Sequence, residues 1–276
     1  LTRDAARVLG KTEDADRYTK QLANIRSAFT KTFFNQGGKI KLHHKPTQTA
    51  YLMALGFDLV APELRDAATR NLLHLIEGAD GHLRTGFLGT PLIAPVLDRA
   101  GHTDVAYAVL FKETYPSWFF SIHQGATTMW ERWNSYSHED GFGDASMNSF
   151  NHYAYGAIGQ WMYERIAGLA PDPARPGYKH FFIQPAPGGP LTHAEASLET
   201  MYGRASSGWR MIDKGLEVSA TVPPNTTATF IVPVTGNARP TVTESGALCD
   251  LDHDDGRWVY HVGPGAYRFT VTNNES

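Results

Sequence analysis

Cysteine is the scarcest residue in this sequence. Cys249 is the only one in 276 residues, so neither an internal disulfide framework nor a cysteine-built zinc site can form. Large secreted enzymes also manage without disulfides, so the compartment stays unassigned. Long apolar runs are missing too: none approaches the roughly 18 to 20 residues that span a bilayer, and no membrane segment is expected. Blocks of one charge sign are equally absent. Lys and Arg number 25 against 28 Asp and Glu, with no basic stripe, and nucleic acid is not an expected partner. His43, His44, His82, His102, His123 and His138 show no HExxH or other ligand spacing, so neither a metal site nor a cofactor is expected. No charged-then-apolar leader opens the chain, which begins at Leu1 directly in helical text. The numbering is therefore expected to start inside a longer protein. Oligomeric state is not legible.

Aromatic residues are abundant instead: six Trp, twelve Tyr and fourteen Phe make up 12% of the chain. Such side chains fill cores, and they also stack on the apolar faces of sugar rings. Up to about residue 168 the apolar positions recur every three or four residues. Ala15, Tyr18, Leu22, Ile25 and Phe29 predict one helix, and Leu64, Ala68, Leu72, Leu75 and Ile76 another, with Gly78 as its C-cap. Further helices are predicted over 90–100, with Pro91 in the first turn, over 103–113 and over 148–167. A long Gly- and Ser-rich loop is predicted over 134–147; loops of that length in compact domains are usually functional.

From Gly168 the text changes. APDPARPGY cannot continue a helix, and beyond it the period becomes two: Leu216, Val218, Ala220 and Val222 on one face, then Ala228, Phe230 and Val232 after a turn. Further strands are expected at 180–184, 194–201, 207–212, 257–262 and 265–272, which together read as an antiparallel β-sandwich. Two domains follow, 1–170 helical and 177–276 β, with Trp209 and Trp258 assigned to sandwich packing.

The chemistry concentrates in residues 114–164. Glu131 stands between Trp130 and Arg132, with Trp133 next. Neighbouring indoles and a guanidinium pull a carboxylate's proton affinity in opposite directions, the tuning a general base requires, although a structural Glu–Arg ion pair under an aromatic lid fits the same residues. The runs GATTMWERWNS, GDASMNSFNHYAYGAIGQWMYE and HLRTGFLGTP resemble bacterial α-L-rhamnosidases of glycoside hydrolase family 78, and HAEASLETMYGRASSGWRM resembles the sandwich that follows their catalytic domain. The resemblance covers nearly the whole chain. It implies the second half of an (α/α)6 barrel followed by an antiparallel sandwich, in a family that hydrolyses terminal α-L-rhamnosyl groups with inversion. It also implies Glu131 as the general base and His152 as a sugar contact, with rhamnose-containing glycosides as substrates.

The remaining candidates come from the residues themselves. Trp118, Trp130 and Trp133 offer ring-stacking surfaces or core packing. Arg132 and Asn151 offer hydrogen bonds to sugar hydroxyls or orient Glu131 and His152, and Arg84 and Thr85 are similar. One part of the family pattern is missing: the motif bearing the general acid, an acidic and aromatic run upstream of the base, has no counterpart between Leu1 and Trp130. Twelve helices need roughly 250 to 350 residues, so about half a barrel is expected. Glu139, Asp140 and Asp144 in the long loop are the local acidic alternatives, and Asp80 reads as a turn residue. Two other functions fit the text: a non-catalytic carbohydrate-binding remnant, and another inverting (α/α)6 glycosidase.

Overall fold

The computed structural model describes residues 1–41, 45–213, 215–233, 241–244, 248–254 and 257–272; His43 and His44 lie outside the described residues. The chain divides into two compact units, Leu1–Ala157 and Ile158–Ser276.

The first unit is built from helices α1 (Thr2–Val8), α2 (Thr12–Phe33), α3 (Gln48–Gly56), α4 (Arg65–Glu77), α5 (Thr90–Arg99), α6 (Thr103–Leu110) and α7 (Trp118–His123). They pack in successive pairs, α1 on α2, α3 on α4 and α5 on α6, with α3 also against α5. Three consecutive helical pairs are half of a six-hairpin barrel. In α4 the expected spacing places Ala68, Leu72 and Ile76 in the core, and α5 carries Pro91 in its first turn, where the missing N–H costs nothing. Side-chain caps start two helices: Thr47 Oγ1 accepts the Ala50 N–H at 3.2 Å before α3, and Ser117 Oγ accepts that of Phe120 at 2.9 Å before α7. Gly78 does end α4, but in right-handed geometry; the reversal is made by Asp80 and Gly81, whose φ values are 56° and 73°. By contrast α2, the longest helix, buries only Ala15, and its apolar residue Ile25 stays exposed.

The predicted loop 134–147 contains a small hairpin, β1 (Tyr136–Ser137) with β2 (Gly141–Phe142). The helix expected over 148–167 begins only at a 3-10 turn, Ala154–Ala157. Residues before that turn are drawn into bonds with the segment around Glu131, as set out below. Short polar side chains such as those of Asn148, Ser149 and Asn151 favour non-helical local bonding.

The second unit opens with α8 (Ile158–Trp161) and a π-helical turn, Met162–Ile166. Ten strands follow: β3 (Leu169–Pro171), β4 (His180–Ile183), β5 (His193–Thr200), β6 (Gly203–Ile212), β7 (Gly215–Val222), β8 (Thr227–Val232), β9 (Thr241–Glu244), β10 (Leu248–Asp254), β11 (Arg257–Val262) and β12 (Gly265–Thr272). They form two five-stranded sheets, ordered β10-β11-β8-β4-β3 and β5-β6-β7-β12-β9. The predicted alternation holds: Leu216, Val218, Ala220 and Val222 from one sheet meet Ala228, Phe230 and Val232 from the other, with Phe181 and Phe269, in one core. One pairing departs from the antiparallel expectation, because β4 and β8 run parallel. Between them the chain makes β5, β6 and β7 in the other sheet, so β8 returns beside β4 by a crossover rather than a hairpin. Trp209 is buried, and its indole N–H donates to the Ile166 carbonyl at 2.7 Å. Ser207 Oγ donates to the next carbonyl, Ala167, also at 2.7 Å. Carbonyls at the end of a helical segment lack intrahelical donors, and β6 supplies them. Among the described residues no helix is long and apolar enough to cross a membrane.

Candidate active site

Glu131 lies just beyond α7, in a segment with no regular secondary structure that runs alongside residues 149–152. Its backbone N–H donates to the Ser149 carbonyl at 2.8 Å, and the His152 N–H donates to the Met129 carbonyl at 2.8 Å. Thr128 Oγ1 adds a bond to the Phe150 carbonyl. The Ser149 N–H then returns the contact, donating to Glu131 Oε2 at 2.8 Å. One carboxylate oxygen is thus held by a charge-assisted bond, while Oε1 has no hydrogen-bond partner among the described residues. The side chain is half-buried. No ion pair joins Glu131 to Arg132 among the described residues, so the structural-pair alternative has no geometric support.

Arg132 is tied down by its backbone. Its N–H donates to Ser135 Oγ at 3.2 Å, and Ser135 in turn accepts the Asn148 amide at 2.9 Å on its carbonyl. The guanidinium itself makes no hydrogen bond among the described residues. Asn151 is exposed, with its N–H on Ser149 Oγ at 3.2 Å and its side chain unengaged.

His152 is half-buried, and its Nδ1 accepts the Ala154 N–H at 3.3 Å. In the neutral ring this assigns the proton to Nε2, which becomes a donor to whatever lies beyond it. The ring stacks on Phe87 at 4.8 Å and 21° and lies parallel to the exposed Tyr153 ring at 5.5 Å.

The three tryptophans are buried among other rings. Trp118, Trp130 and Trp133 are 7%, 6% and 7% exposed. Trp133 lies flat on Tyr155 at 3.8 Å and 9°, Trp118 stands edge-on to Trp133 at 5.2 Å, and Trp130 edge-on to Phe150 at 5.3 Å. The Trp118 indole N–H is spent on the Tyr155 carbonyl at 2.9 Å. The gap they share with Met129 is about 60 Å³, far below the roughly 300 Å³ at which ligand clefts begin. These indoles form a buried aromatic floor within the segment that carries Glu131, and further chain could only bury them more. Tyr155 belongs to the same floor; burial pushes its phenol up, with Tyr115 and Glu131 adding to the effect and Arg132 opposing it.

The acidic alternatives sit elsewhere. Glu139, Asp140 and Asp144 are all exposed. Asp140 is engaged with Ser137 Oγ at 3.2 Å. The bond from the Ser146 N–H to Asp144, at 2.9 Å, holds that carboxyl below the usual range, the wrong direction for a proton donor. Thr85 is buried against Thr90, and Arg84 is exposed. A cleft of about 960 Å³ is lined by Asp58, Arg65, Arg70, Arg99 and His102, among others, and includes none of the residues around Glu131. No group of three or more potential metal ligands occurs among the described residues. Two contributors escaped sequence reasoning. Ser149 acts through its backbone, which leaves no trace in residue type, whereas Phe87 stands in the HLRTGFLGTP run and could have been read from it.

Residues 1–166 match the bacterial alpha-L-rhamnosidase 6 hairpin glycosidase domain, and residues 168–247 the bacterial alpha-L-rhamnosidase C-terminal domain. An alpha-L-rhamnosidase of Formosa agariphila is 53% identical over 84% of this chain, and one of Streptomyces avermitilis is 46% identical over 95%. The crystal structure of the Streptomyces avermitilis alpha-L-rhamnosidase complexed with L-rhamnose superposes with a TM-score of 0.88 at 45% identity, covering 98% of this chain and 25% of that one. The chain spans 25% of the length of each of these two relatives as well. With both domain matches contiguous along the sequence and the Glu131 segment inside the first, the chain belongs to the bacterial alpha-L-rhamnosidase family.

Proposed function

We propose that the protein carrying this chain hydrolyses terminal α-L-rhamnosyl groups of rhamnose-containing glycosides by an inverting mechanism, with Glu131 as general base. The observation that carries the reading is the half-held carboxylate: Ser149 fixes Oε2 and leaves Oε1 open to a water. As that water attacks the anomeric carbon, Glu131 takes its proton. The glycosidic C–O bond breaks, and an acid on the opposite face, roughly 6.5 to 9.5 Å from the base, protonates the departing oxygen. His152 donates from Nε2 to a sugar hydroxyl. Arg132 and Asn151, whose side-chain polar groups are unengaged, bind further hydroxyls. Names given to the relatives, and the L-rhamnose in one solved structure, support the choice of sugar. The acid is assigned to chain outside these 276 residues, since Glu139, Asp140 and Asp144 are exposed and the Asp144 carboxyl is held below the usual range.

That same lack favours a second reading, in which these residues bind carbohydrate without cleaving it. Glu131→Gln in the full-length protein separates the two. Turnover of an aryl α-L-rhamnoside should fall roughly 100- to 10,000-fold with binding largely intact, because the base is lost and the shape kept. A variant keeping a tenth of wild-type turnover would remove Glu131 from the mechanism, and a wild type that binds rhamnose without turnover would establish the second reading.

A further inference from the structure

We propose that Phe87 is a positioning residue for His152, fixing the imidazole plane from which Nε2 reaches the sugar. The inference rests on the reading of His152 as a sugar contact. Its own support begins with what holds the imidazole: the exposed Tyr153 ring lies parallel to it at 5.5 Å, and the Phe87 ring is closer. Among the described residues one hydrogen bond reaches the ring, from the Ala154 N–H, and at 3.3 Å it is too long to fix the ring plane by itself. The Phe87 face at 4.8 Å and 21° restricts the ring's tilt, within the geometry of favourable offset stacks.

Phe87 is itself backed. It leans on Tyr155 at 5.3 Å, and Tyr155 lies flat on Trp133, two residues from the base. A continuous set of rings therefore connects the sugar-contacting imidazole to the segment that presents Glu131. The turn bearing Phe87 is equally constrained. The Gly89 and Thr90 N–H groups both donate to the Gly86 carbonyl, at 3.1 and 3.0 Å, and buried hydroxyls of Thr85 and Thr90 meet at 2.8 Å across its base. A Cβ at position 89 would stand 2.5 Å from Thr49 Oγ1 and 3.0 Å from Thr85, so any larger residue there would push these side chains aside. What this rigid turn presents is a phenyl ring 40% exposed.

A double-mutant cycle in the full-length protein, read as kcat/KM on an aryl α-L-rhamnoside, tests the proposal. In the wild-type background Phe87→Ala should lower kcat/KM about 5- to 50-fold, whereas in a His152→Ala background it should lower it less than about twofold, since residues acting through one another are non-additive. Phe87→Tyr keeps the flat ring and should stay within about threefold of wild type, while Phe87→Leu, which keeps bulk without a plane, should fall between. Equal losses in both backgrounds, or a Phe87→Leu variant as active as Phe87→Tyr, overturn the positioning role alone. A His152→Ala variant with wild-type kinetics overturns the sugar-contact reading and the positioning role with it.

Discussion

At the scale of single residues, the site separates side chains that face outward from those that support them. Trp133 illustrates the second group, with one face covered by Tyr155 and Trp118 against it edge-on. Trp133→Phe should therefore act on stability rather than recognition: a loss of about 1 to 3 kcal/mol in unfolding free energy, with the KM for an aryl rhamnoside within about twofold of wild type. A tenfold rise in KM at unchanged melting temperature would return the indole to the sugar site. Glu131 is visible in the sequence through its own residue type and neighbours, whereas His152 is singled out only by the family resemblance of the run that carries it. For the tryptophans residue type leaves two readings open, since one composition serves stacking on a sugar and stacking on a protein ring. Only the neighbours of each ring in the fold bear on the choice.

Among the elements, the sandwich strands were the most legible. Val218 and Phe230 lie in strict two-residue alternations, and that pattern places them in the core with little dependence on distant contacts. Strand direction was not legible, since alternation is identical in parallel and antiparallel pairs; the β4–β8 pairing follows from where β5 to β7 travel. The segment 148–167 failed more instructively. Tyr155, Ile158, Trp161 and Ile166 do recur at helical spacing, but Ser149 and His152 upstream are committed to the chain around Glu131, a tertiary demand that overrides local preference. The β4–β8 pair also contains a pH-sensitive group. His180 is buried, with Nδ1 on Thr227 at 2.7 Å and Nε2 on Thr229 at 3.1 Å. Burial, aided by Arg175 and His261 and opposed by Asp172, lowers its pKa below 6.5. As pH falls through that ordinary value the unfolded chain takes up a proton that the folded one resists, so stability should decline from about pH 6.5 downward. Thermal melts at pH 7.5, 6.5 and 5.5 should show a steeper loss in wild type than in His180→Gln; parallel slopes would exclude His180 as the source.

On the scale of the whole molecule, the described residues hold three helical pairs and one candidate base, and the acid is assigned elsewhere. Produced alone, the 276 residues should show no measurable hydrolysis of a natural rhamnoside, whose poorly stabilised leaving oxygen needs protonation. The nearly uncovered α2, with only Ala15 buried, should make the isolated helical unit prone to self-association. Specific activity measured beside the full-length protein decides the matter, and comparable values would return the acid's role to Glu139, Asp140 or Asp144. The bonds from Trp209 and Ser207 to the carbonyls of Ile166 and Ala167 bear on how such proteins can be recombined. A crossover placed between the two family domains, at residue 167, would pair a foreign sandwich with a helical end whose carbonyls it was not shaped to meet. Moving the junction back to residue 157 would transfer donor and acceptor together, and chimaeras of this family should tolerate the earlier seam better than the later one.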